Sequence, residues 1–384
     1  GVYDVFVSVF SSTGDLTYST YLGGTGSEIG YGVAVDTDGN IYITGYTSST
    51  DFPVTTDAYQ NTYGGSSYDA FVSVFNNTGN LIYSTYLGGT QSDVGFGVDV
   101  DVKGNIYITG NTYSTDFPVT TDTYQNTNQG STDAFVSILN NKGDLKYSTY
   151  LGGTEDDYGQ DIAVDSNGNI YITGYTYSVD FPTMNPYQNK NQGSSDVFLS
   201  VFNNTNLIYS TYLGGIQYDY ALGVALDSNG NIYITGYTNS TDFPVTTDTY
   251  QSTLGGDYDA FISIFNYKGN LFNSTYLGGS SLDYGQDVAV DEYGNIYITG
   301  YTESTDFPVT PDAYQNTTHG KTDVFVAKFS KEDTITLVSD VMGGNGDTVN
   351  LTATLTNNNG SPLDGKEIIF TVNGVDYSGT TGVD

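Results

Sequence analysis

Aspartate is the residue type in this chain whose number and spacing could support chemistry. The sequence contains 44 Asp and Glu against 9 Lys and Arg, and its formal net charge is −35. In the segment Asp36-Thr37-Asp38-Gly39-Asn40, oxygen ligands stand at alternate positions, as they do in calcium loops. The alternative is a plain hairpin turn, because the other copies of this segment vary at the third position and lack the glutamate of a calcium loop. We keep Ca2+ at Asp36, Asp38 and Asn40 as the metal prediction and expect no other cofactor.

Two further sets of acids recur along the chain. One set belongs to an Asp-Phe-Pro motif, and the other stands at the start of a short apolar segment. A ring of such acids at a channel mouth could hold a cation. The alternative is that they are solvated acids that cap strand ends. The first set is Asp51, Asp116, Asp180, Asp242 and Asp306; the second is Glu28, Asp93, Asp157, Asp219 and Asp283.

Tyrosine is the second candidate, since the chain contains 37 copies. A tyrosine in a loop can stack on a sugar or contribute to a protein interface, because its ring is apolar and its hydroxyl is polar. One such tyrosine follows each Asp-Phe-Pro motif at a similar distance. We therefore predict a binding surface from the Asp-Phe-Pro acids together with Tyr59, Tyr124, Tyr187, Tyr250 and Tyr314.

The residue types exclude several enzyme classes. A Ser-His-Asp triad could use only His319, which lies in an expected loop, and arginine and cysteine are absent. No glycine-rich loop between a strand and a helix suggests phosphate binding. A glycoside hydrolase with two carboxylates stays open as a less favoured alternative. Because the repeats are nearly alike and none has a cluster of its own, we predict that the protein is not an enzyme.

The elements that position these residues recur with a constant period. Gly39-Asn40-Ile41-Tyr42-Ile43-Thr44-Gly45 returns four more times almost unchanged. Its tyrosines are 62 to 65 residues apart, which is typical of a repeat architecture. The five tyrosines are Tyr42, Tyr107, Tyr171, Tyr233 and Tyr297.

Each period contains four short strand patterns and no helical periodicity. In one copy they are Gly32 to Asp36, Ile41 to Thr47, Asp69 to Phe75 and Leu81 to Leu87, with a long connection between the second and the third. One four-stranded antiparallel sheet per repeat predicts a β-propeller blade. We name the strands A to D from the axis outward, and we expect Phe-Pro in the long connection to be a packed anchor. The aspartate that begins strand C is expected to accept backbone hydrogen bonds between blades.

The recurring Gly-Val-Ala-Val-Asp, Gly-Asn-Ile-Tyr-Ile-Thr-Gly, Thr-Asp-Phe-Pro and Asp-Ala-Phe-Val motifs resemble the β-propeller repeat called the SBBP repeat. The resemblance covers about residues 1 to 330 and implies an extracellular or cell-envelope propeller with no activity common to the family. It also implies that strand A is innermost. The B–C and D–A connections then emerge on one side of the disc, which we call the long-loop face and take as the candidate binding surface.

Counting strands gives 21, one more than five blades need. Either five blades close with a spare strand, or the parent protein has six or more blades and this chain is a fragment of it; we favour the second. The register of the repeats breaks after Ser330. Residues 331 to 384 resemble part of the immunoglobulin-like repeats of invasin-type adhesins, which implies an incomplete β-sandwich.

These observations predict an all-β protein, with a propeller of five or more blades over residues 1–330 and a partial immunoglobulin-like domain over residues 331–384. We expect a non-enzymatic, adhesin-like or structural protein of the cell surface, with a carbohydrate-binding propeller as the alternative. Its partner would be a protein or a glycan, or a second copy of the chain. Nucleic acid is excluded by the negative charge, and no apolar run approaches the length of a membrane span.

Overall fold

The computed structural model describes residues 1–247 and 249–330 and, beyond them, the backbone of four short strands between residues 335 and 380. The chain divides into two units, and the larger contains Gly1–Glu292 and Tyr297–Lys328. Residues 1–247 and 249–330 contain only β-strands and connections, so this part of the chain has no helix that could cross a membrane.

The larger unit consists of six sheets in chain order. A two-stranded sheet of β1 (Val5–Phe10) and β2 (Leu16–Leu22) comes first. Blade 1 is β3 (Glu28–Val35), β4 (Ile41–Thr47), β5 (Asp69–Phe75) and β6 (Leu81–Leu87). Blade 2 is β7 (Asp93–Val100), β8 (Ile106–Thr112), β9 (Asp133–Leu139) and β10 (Leu145–Leu151). Blade 3 is β11 (Asp157–Val164), β12 (Asn169–Thr176), β13 (Asp196–Asn203) and β14 (Asn206–Leu213). Blade 4 is β15 (Asp219–Leu226), β16 (Ile232–Thr238), β17 (Asp259–Phe265) and β18 (Leu271–Leu277), and blade 5 has three strands, β19 (Asp283–Val290), β20 (Ile296–Thr302) and β21 (Asp323–Phe329).

Consecutive strands pair in the order A-B-C-D in blades 1 to 4 and in the order A-B-C in blade 5. The A strands of neighbouring blades contact one another, which places strand A nearest the axis and strand D at the outer edge. This confirms the all-β propeller with four-stranded antiparallel blades and the predicted total of 21 strands in the repeats. The described sheets contain no pairing between β1 or β2 and the strands of blade 5.

Strand A is longer than the sequence pattern indicated, because it contains a β-bulge. Strand β3 begins at Glu28 rather than at Gly32, and its register against β4 shifts between Gly30 and Gly32. A Cβ atom at Gly45 would lie 1.9 Å from the carbonyl oxygen of Ile29. The last glycine of the recurring motif therefore lets strand A approach strand B closely at the bulge.

The first glycine of the motif has a different task. Gly39 adopts a φ of 80°, which favours glycine, at the end of the A–B turn. In the same turn the Asp36 carboxylate accepts hydrogen bonds from the backbone N–H groups of Asp38 and Asn40 at 2.9 and 2.8 Å. The hydroxyl of Tyr42 donates to the second oxygen of Asp36 at 2.9 Å. The turn is thus closed by its own side chains.

The hydrophobic core lies between the faces of neighbouring blades. Tyr42 of strand B is buried and belongs to the same cluster as Ile108 and Phe135 of the next blade, which confirms that the motif tyrosine is a core residue. Phe52 of the Asp-Phe-Pro motif is also buried, with its ring centroid 4.8 Å from that of Phe71. The prediction that Phe-Pro is a packed anchor is confirmed.

Four strands are described beyond residue 330. The first pair is β22 (Ile335–Val338) with β23 (Ala353–Thr356), and the second is β24 (Glu367–Val372) with β25 (Val375–Thr380); both are antiparallel. Most of the segment predicted to be immunoglobulin-like lies outside the described residues. That assignment therefore stays a prediction.

Candidate functional site

Two acidic side chains meet wherever one blade is followed by the next. One begins strand C of a blade, and the other begins strand A of the following blade. Asp69 and Asp93 form such a pair, and both are fully buried. A Cβ atom at Gly88 would lie 2.7 Å from Asp93 Oδ2 and 3.0 Å from Asp69 Cγ, so only glycine fits at the end of strand D. We call these five pairs the junction acids: Asp4 and Glu28, Asp69 and Asp93, Asp133 and Asp157, Asp196 and Asp219, and Asp259 and Asp283.

Hydrogen bonds from nearby backbone and side-chain groups fix the positions of the junction acids. Asp93 accepts a bond from the N–H of Gly89 at 2.7 Å and one from the hydroxyl of Ser114 at 3.0 Å. Asp69 accepts one from the N–H of Gly64 at 2.7 Å and one from Gln60 Nε2 at 3.3 Å. The strand-A acids are therefore buried, not solvated. The acid of strand C does accept backbone hydrogen bonds as predicted, but its donors lie in the long connection of its own blade and not in a neighbouring blade.

Burial raises the pKa of seven junction acids: Asp69, Asp93, Asp133, Asp157, Asp196, Asp219 and Asp259. Loss of solvent raises the pKa of Asp93 and of Asp157 to about 7, and the neighbouring carboxylates Asp69 and Asp133 add to the effect. The pKa of Asp69 is raised by burial to about 6. Within the described residues, the one ion pair joins the amino group of Gly1 to Asp4. Asp69, Asp93 and Asp157 therefore titrate near neutral pH, and none of the three has an ion-pair partner among the described residues.

The Asp-Phe-Pro acids tie two connections together on the long-loop face. Asp51 Oδ1 accepts hydrogen bonds from the N–H and the hydroxyl of Thr25, both at 2.9 Å. The same bonds hold the pKa of Asp51 below its ordinary value. In the other four copies the aspartate accepts the backbone N–H of the equivalent D–A residue: Asp116 from Thr90, Asp180 from Thr154, Asp242 from Ile216 and Asp306 from Ser280. Ile216 has no hydroxyl, so Asp242 lacks the second bond.

The tyrosines predicted to share a surface with these acids lie elsewhere. The long connection turns back along strand D, where Gln60 N–H donates to Thr85 Oγ1 at 2.8 Å and Tyr86 N–H donates to the carbonyl of Gln60 at 3.1 Å. Tyr59 is therefore at the outer rim, 42% exposed. Its equivalent Tyr124 contacts Phe202 edge to face, with centroids 5.8 Å apart. The structure thus separates the rim tyrosines (Tyr59, Tyr124, Tyr187, Tyr250 and Tyr314) from the Asp-Phe-Pro acids.

The predicted calcium residues are engaged in the A–B turn. Burial alone would raise the pKa of Asp36, but its hydrogen bonds to Asn40, Tyr42 and Asp38 outweigh that effect and hold the pKa below its ordinary value. Among the described residues, no group of three or more His, Cys, Asp and Glu could hold a metal ion. Calcium at Asp36, Asp38 and Asn40 stays a prediction. His319 is exposed in a loop, as expected.

A second group of tyrosines forms a continuous surface that the sequence did not reveal. Its members lie at the ends of strands A, B and C that face the long loops, on blades 3, 4 and 5, and all are partly exposed. We call it the tyrosine belt. It consists of Tyr158, Tyr175, Tyr177, Tyr218, Tyr220, Tyr237, Tyr258, Tyr284 and Tyr301.

Ring contacts connect the belt from blade to blade. The centroids of Tyr158 and Tyr175 are 4.8 Å apart within blade 3, and Tyr175 is 4.5 Å from Tyr220 of blade 4. Tyr237 is then 4.3 Å from Tyr284 of blade 5. The hydroxyls of Tyr177 and Tyr220 are 3.0 Å apart. These spacings are those of stacked and edge-to-face aromatic pairs.

One signal in the sequence could have located the belt. Strand A of the last three repeats begins Asp-Tyr, at Tyr158, Tyr220 and Tyr284, whereas the first two repeats have Ile29 and Val94 at this position. The repeats are therefore not equivalent on this surface, contrary to the expectation that no blade has a cluster of its own.

The inner strands also differ among blades near the axis. Asp161 and Asp287 occupy a position where blades 1, 2 and 4 have glycine. Asp161 Oδ2 accepts a hydrogen bond from the N–H of Val224 in blade 4 at 2.8 Å, and Asp99 accepts one from Val164 in blade 3 at 2.7 Å. Burial raises the pKa of Asp161 to about 7, and the charge of Asp287 adds to this. The acids at the axis therefore connect neighbouring inner strands.

Five segments of the chain match the SBBP family, a beta-propeller repeat. Each match runs from strand D through strands A and B to the Asp-Phe-Pro motif of the next blade. The matched residues are 17–53, 82–118, 146–182, 208–244 and 273–308. These five segments are SBBP β-propeller repeats.

Curated relatives of the chain are much longer than the chain itself. Regulatory protein FlaEY of Caulobacter vibrioides is 28% identical over 246 residues, which cover 61% of this chain and 25% of the relative. An uncharacterized WD repeat-containing protein, L264 of Acanthamoeba polyphaga mimivirus, is 24% identical over 375 residues, covering 77% of this chain and 26% of the relative. The chain thus spans about a quarter of the length of these relatives.

Solved structures with a detectable likeness to this chain include two proteins whose names are those of enzymes. A gluconolactonase from Xanthomonas campestris covers 73% of this chain over 72% of its own length, with 12% identity and a TM-score of 0.37. A catalytically inactive virginiamycin B lyase from Staphylococcus aureus covers 94% of this chain over 87% of its own length, with 10% identity and a TM-score of 0.36. At these scores the likeness carries no conclusion about activity.

Proposed function

We propose that this SBBP propeller is a non-enzymatic binding module of an extracellular, adhesin-like surface protein, and that it binds through its long-loop face. The observation that carries the proposal is the tyrosine belt. It is a partly exposed aromatic surface whose strand-A tyrosines, Tyr158, Tyr220 and Tyr284, occur in blades 3 to 5 and not in blades 1 and 2. Tyrosine is the residue type that protein interfaces favour for such a surface.

The bonding of the acids supports a role without catalysis. The Asp-Phe-Pro acids and the strand-A junction acids accept hydrogen bonds from backbone N–H groups of the D–A connections, and the same bonds recur around the disc. A general acid or base needs a carboxyl group that can reach a substrate. The hydrogen bonds of these carboxylates instead link neighbouring segments of the propeller.

The proposed location rests on composition and on the second unit. A chain without cysteine or arginine and rich in Asn, Ser, Thr, Gly and Tyr suits the cell exterior. We further propose that residues 331–384 belong to an immunoglobulin-like stalk that carries the propeller. Exposure on intact producing cells, measured by surface proteolysis with an antibody against the propeller, tests the location. Protection until the cells are lysed would contradict it.

Adhesion tests the binding role. Beads coated with residues 1–384 should be retained on a layer of producing cells, and beads coated with the Tyr220→Leu/Tyr237→Leu variant should be released at lower shear. The matched control is Tyr267→Leu, which removes a tyrosine that is 69% exposed in a C–D turn on the opposite face. Equal retention of all three proteins would contradict a role for the belt.

Carbohydrate binding is the second candidate, and the rim tyrosines favour it. These five residues are between 42% and 106% exposed and recur around the outer edge, as a multivalent lectin would require. On a glycan array, residues 1–384 should then bind a defined glycan, and Tyr59→Ala with the equivalent changes in the other repeats should abolish the signal. An array without binding would exclude this candidate while leaving the adhesin-like role in place.

A further inference from the structure

The tyrosine belt lies in an acidic surrounding. Asp156 directly precedes strand A of blade 3, which contains Tyr158, and Asp257 directly precedes Tyr258, just before strand C of blade 4. Glu303 follows strand B of blade 5, next to Tyr301. Burial raises the pKa of Tyr284 to about 12, and the negative charge of Glu303 adds to the effect. The phenol rings therefore lie within the electrostatic field of these carboxylates.

Lys321 lies two residues before strand C of blade 5, on the side of the belt, but several other lysines lie elsewhere. Lys103 is in an A–B turn, and Lys142 and Lys268 are in C–D turns, on the face opposite to the belt. The single ion pair among the described residues is that of the amino terminus with Asp4. No described lysine thus compensates the charge beside the belt by a direct ion pair, in a chain with a formal net charge of −35. A ligand that enters this surface meets negative charge and the faces of phenol rings.

The same molecule shows which ligand group suits such rings. The ammonium group of Lys328 lies 5.3 Å from the ring centroid of Tyr297, and that of Lys268 lies 5.4 Å from the ring of Tyr267. Both distances are within the range in which a cation is attracted to an aromatic face. An added carboxylate strengthens this attraction, since both groups favour positive charge.

We propose that the tyrosine belt binds a basic polypeptide segment, with Lys or Arg side chains over the phenol rings and their charges toward Asp156, Asp257 and Glu303. The belt runs over three blades, so its length matches an extended chain with several cations better than a single small ion. Nucleic acids and anionic lipid surfaces are repelled by the same charge. The inference rests on the proposed function and names the class of its partner.

Fluorescence anisotropy with a labelled 12-residue peptide of alternating Lys and Ser tests the proposal. The matched probe has Glu in place of Lys, and the protein is residues 1–384 at low and at high salt. We expect the Lys peptide to bind and the Glu peptide not to bind. The Tyr220→Leu/Tyr237→Leu variant should bind the Lys peptide about tenfold more weakly, since two cation–π contacts are lost.

Three further variants separate the contribution of the aromatic rings to peptide affinity from the contributions of correct folding and of overall net charge. Tyr220→Phe/Tyr237→Phe keeps both ring faces and should bind within about twofold of the original protein. Asp156→Asn/Glu303→Gln should weaken binding and reduce its dependence on salt. Tyr267→Leu, on the opposite face, should change nothing. Thermal melting of each variant shows that the fold is retained.

Equal affinity of the Tyr220→Leu/Tyr237→Leu variant and the original protein would overturn the inference, because binding would then follow net charge alone. Absence of Lys-peptide binding at low salt would overturn it as well. If beads coated with residues 1–384 are nevertheless retained on producing cells through the belt, the proposed function stands and its partner is not basic. Loss of retention together with loss of peptide binding would remove both proposals.

Discussion

The junctions between blades and the tyrosine belt are built from the same repeat, but the copies agree closely at the junctions and differ at the belt. At the junctions, each strand-A acid accepts a bond from the same glycine N–H in blade after blade, at 2.7, 2.6, 2.8 and 2.7 Å from blade 2 to blade 5. At the belt, the start of strand A changes from Ile29 and Val94 to three tyrosines. A position that holds neighbouring blades together must suit every junction, whereas a position at an open surface is free to differ.

The largest expected change in stability comes from removing a buried side chain that packs within a blade. Phe198 of strand C is fully buried, and its ring lies 4.6 Å from that of Phe181. Phe198→Ala should lower the free energy of unfolding by about 3–5 kcal/mol, since it removes a large apolar group and leaves a cavity. Urea denaturation followed by tyrosine fluorescence measures the loss.

The control for this change is the same residue of the repeat in a different setting. Phe6 of β1 occupies the position of Phe198 but is 72% exposed. Phe6→Ala should therefore shift the urea midpoint much less than Phe198→Ala. Comparable shifts of the urea midpoint would show that side-chain burial is not what distinguishes the two positions.

The next effect is a dependence of stability on pH. Burial raises the pKa of Asp93, Asp157 and Asp196 to about 7, above the ordinary aspartate value that they have in the unfolded chain. The folded protein therefore holds these protons more tightly than the unfolded chain does. Their contribution to stability is complete below about pH 4 and is lost as the pH rises through about 6 to 7. Unfolding at pH 5 should need more urea than unfolding at pH 8.

Removing one buried charge sharpens this prediction. Asp93→Asn keeps the shape of the side chain and its acceptor oxygen while abolishing the charge. At pH 8 the variant should be more stable than the original protein by about 1 kcal/mol or more, and its stability should depend less on pH. If Asp93→Asn destabilised the protein equally at pH 5 and pH 8, burial of the ionised carboxylate would not lower the stability.

An intermediate effect is expected where the inner strands approach each other. A Cβ atom at Gly97 would lie 2.8 Å from the Cα of Asp161 in the next blade. Gly97→Ala should cost about 1–3 kcal/mol, because backbone atoms must move apart. At Gly30 the nearest atom is 3.1 Å away and belongs to the Val5 side chain, so Gly30→Ala should cost less in the same denaturation series. A reversed order would contradict the close approach of the inner strands.

The smallest effect concerns an A–B turn, which is on the face opposite to the belt. Gly39 has a φ of 80°, and Gly39→Ala should cost about 1 kcal/mol because a Cβ atom disfavours that conformation. Asp38→Ala in the same turn should have little effect on the urea midpoint, because the Asp38 side chain is exposed. Neither change should alter binding of the Lys peptide at the belt. A change in that affinity would show that the two faces are coupled.

Much of the fold could be predicted from the sequence, because each strand and turn of a blade depends mainly on the residue types of its own short segment. Ile41 to Thr47 was assigned as a strand from its β-branched and aromatic residues, and the structure has β4 at the same residues. The bulge of strand A was missed, because its cause is a contact between Gly45 and the carbonyl of Ile29 across two strands. The acids of the junctions were identified, but their burial was not, because the second acid of each pair comes from another blade.

The sequence by itself determined the repeat, the order of the strands and the residues of the turns, since each depends on neighbours within one period. Only the tertiary structure decided which of the 37 tyrosines form the belt and which lie at the rim. Tyr175 and Tyr220, or Tyr237 and Tyr284, come from different blades and meet only because consecutive sheets pack at a fixed angle around the axis. Contacts of this kind depend on how whole sheets pack, and the spacing of residues along the chain does not show that packing directly.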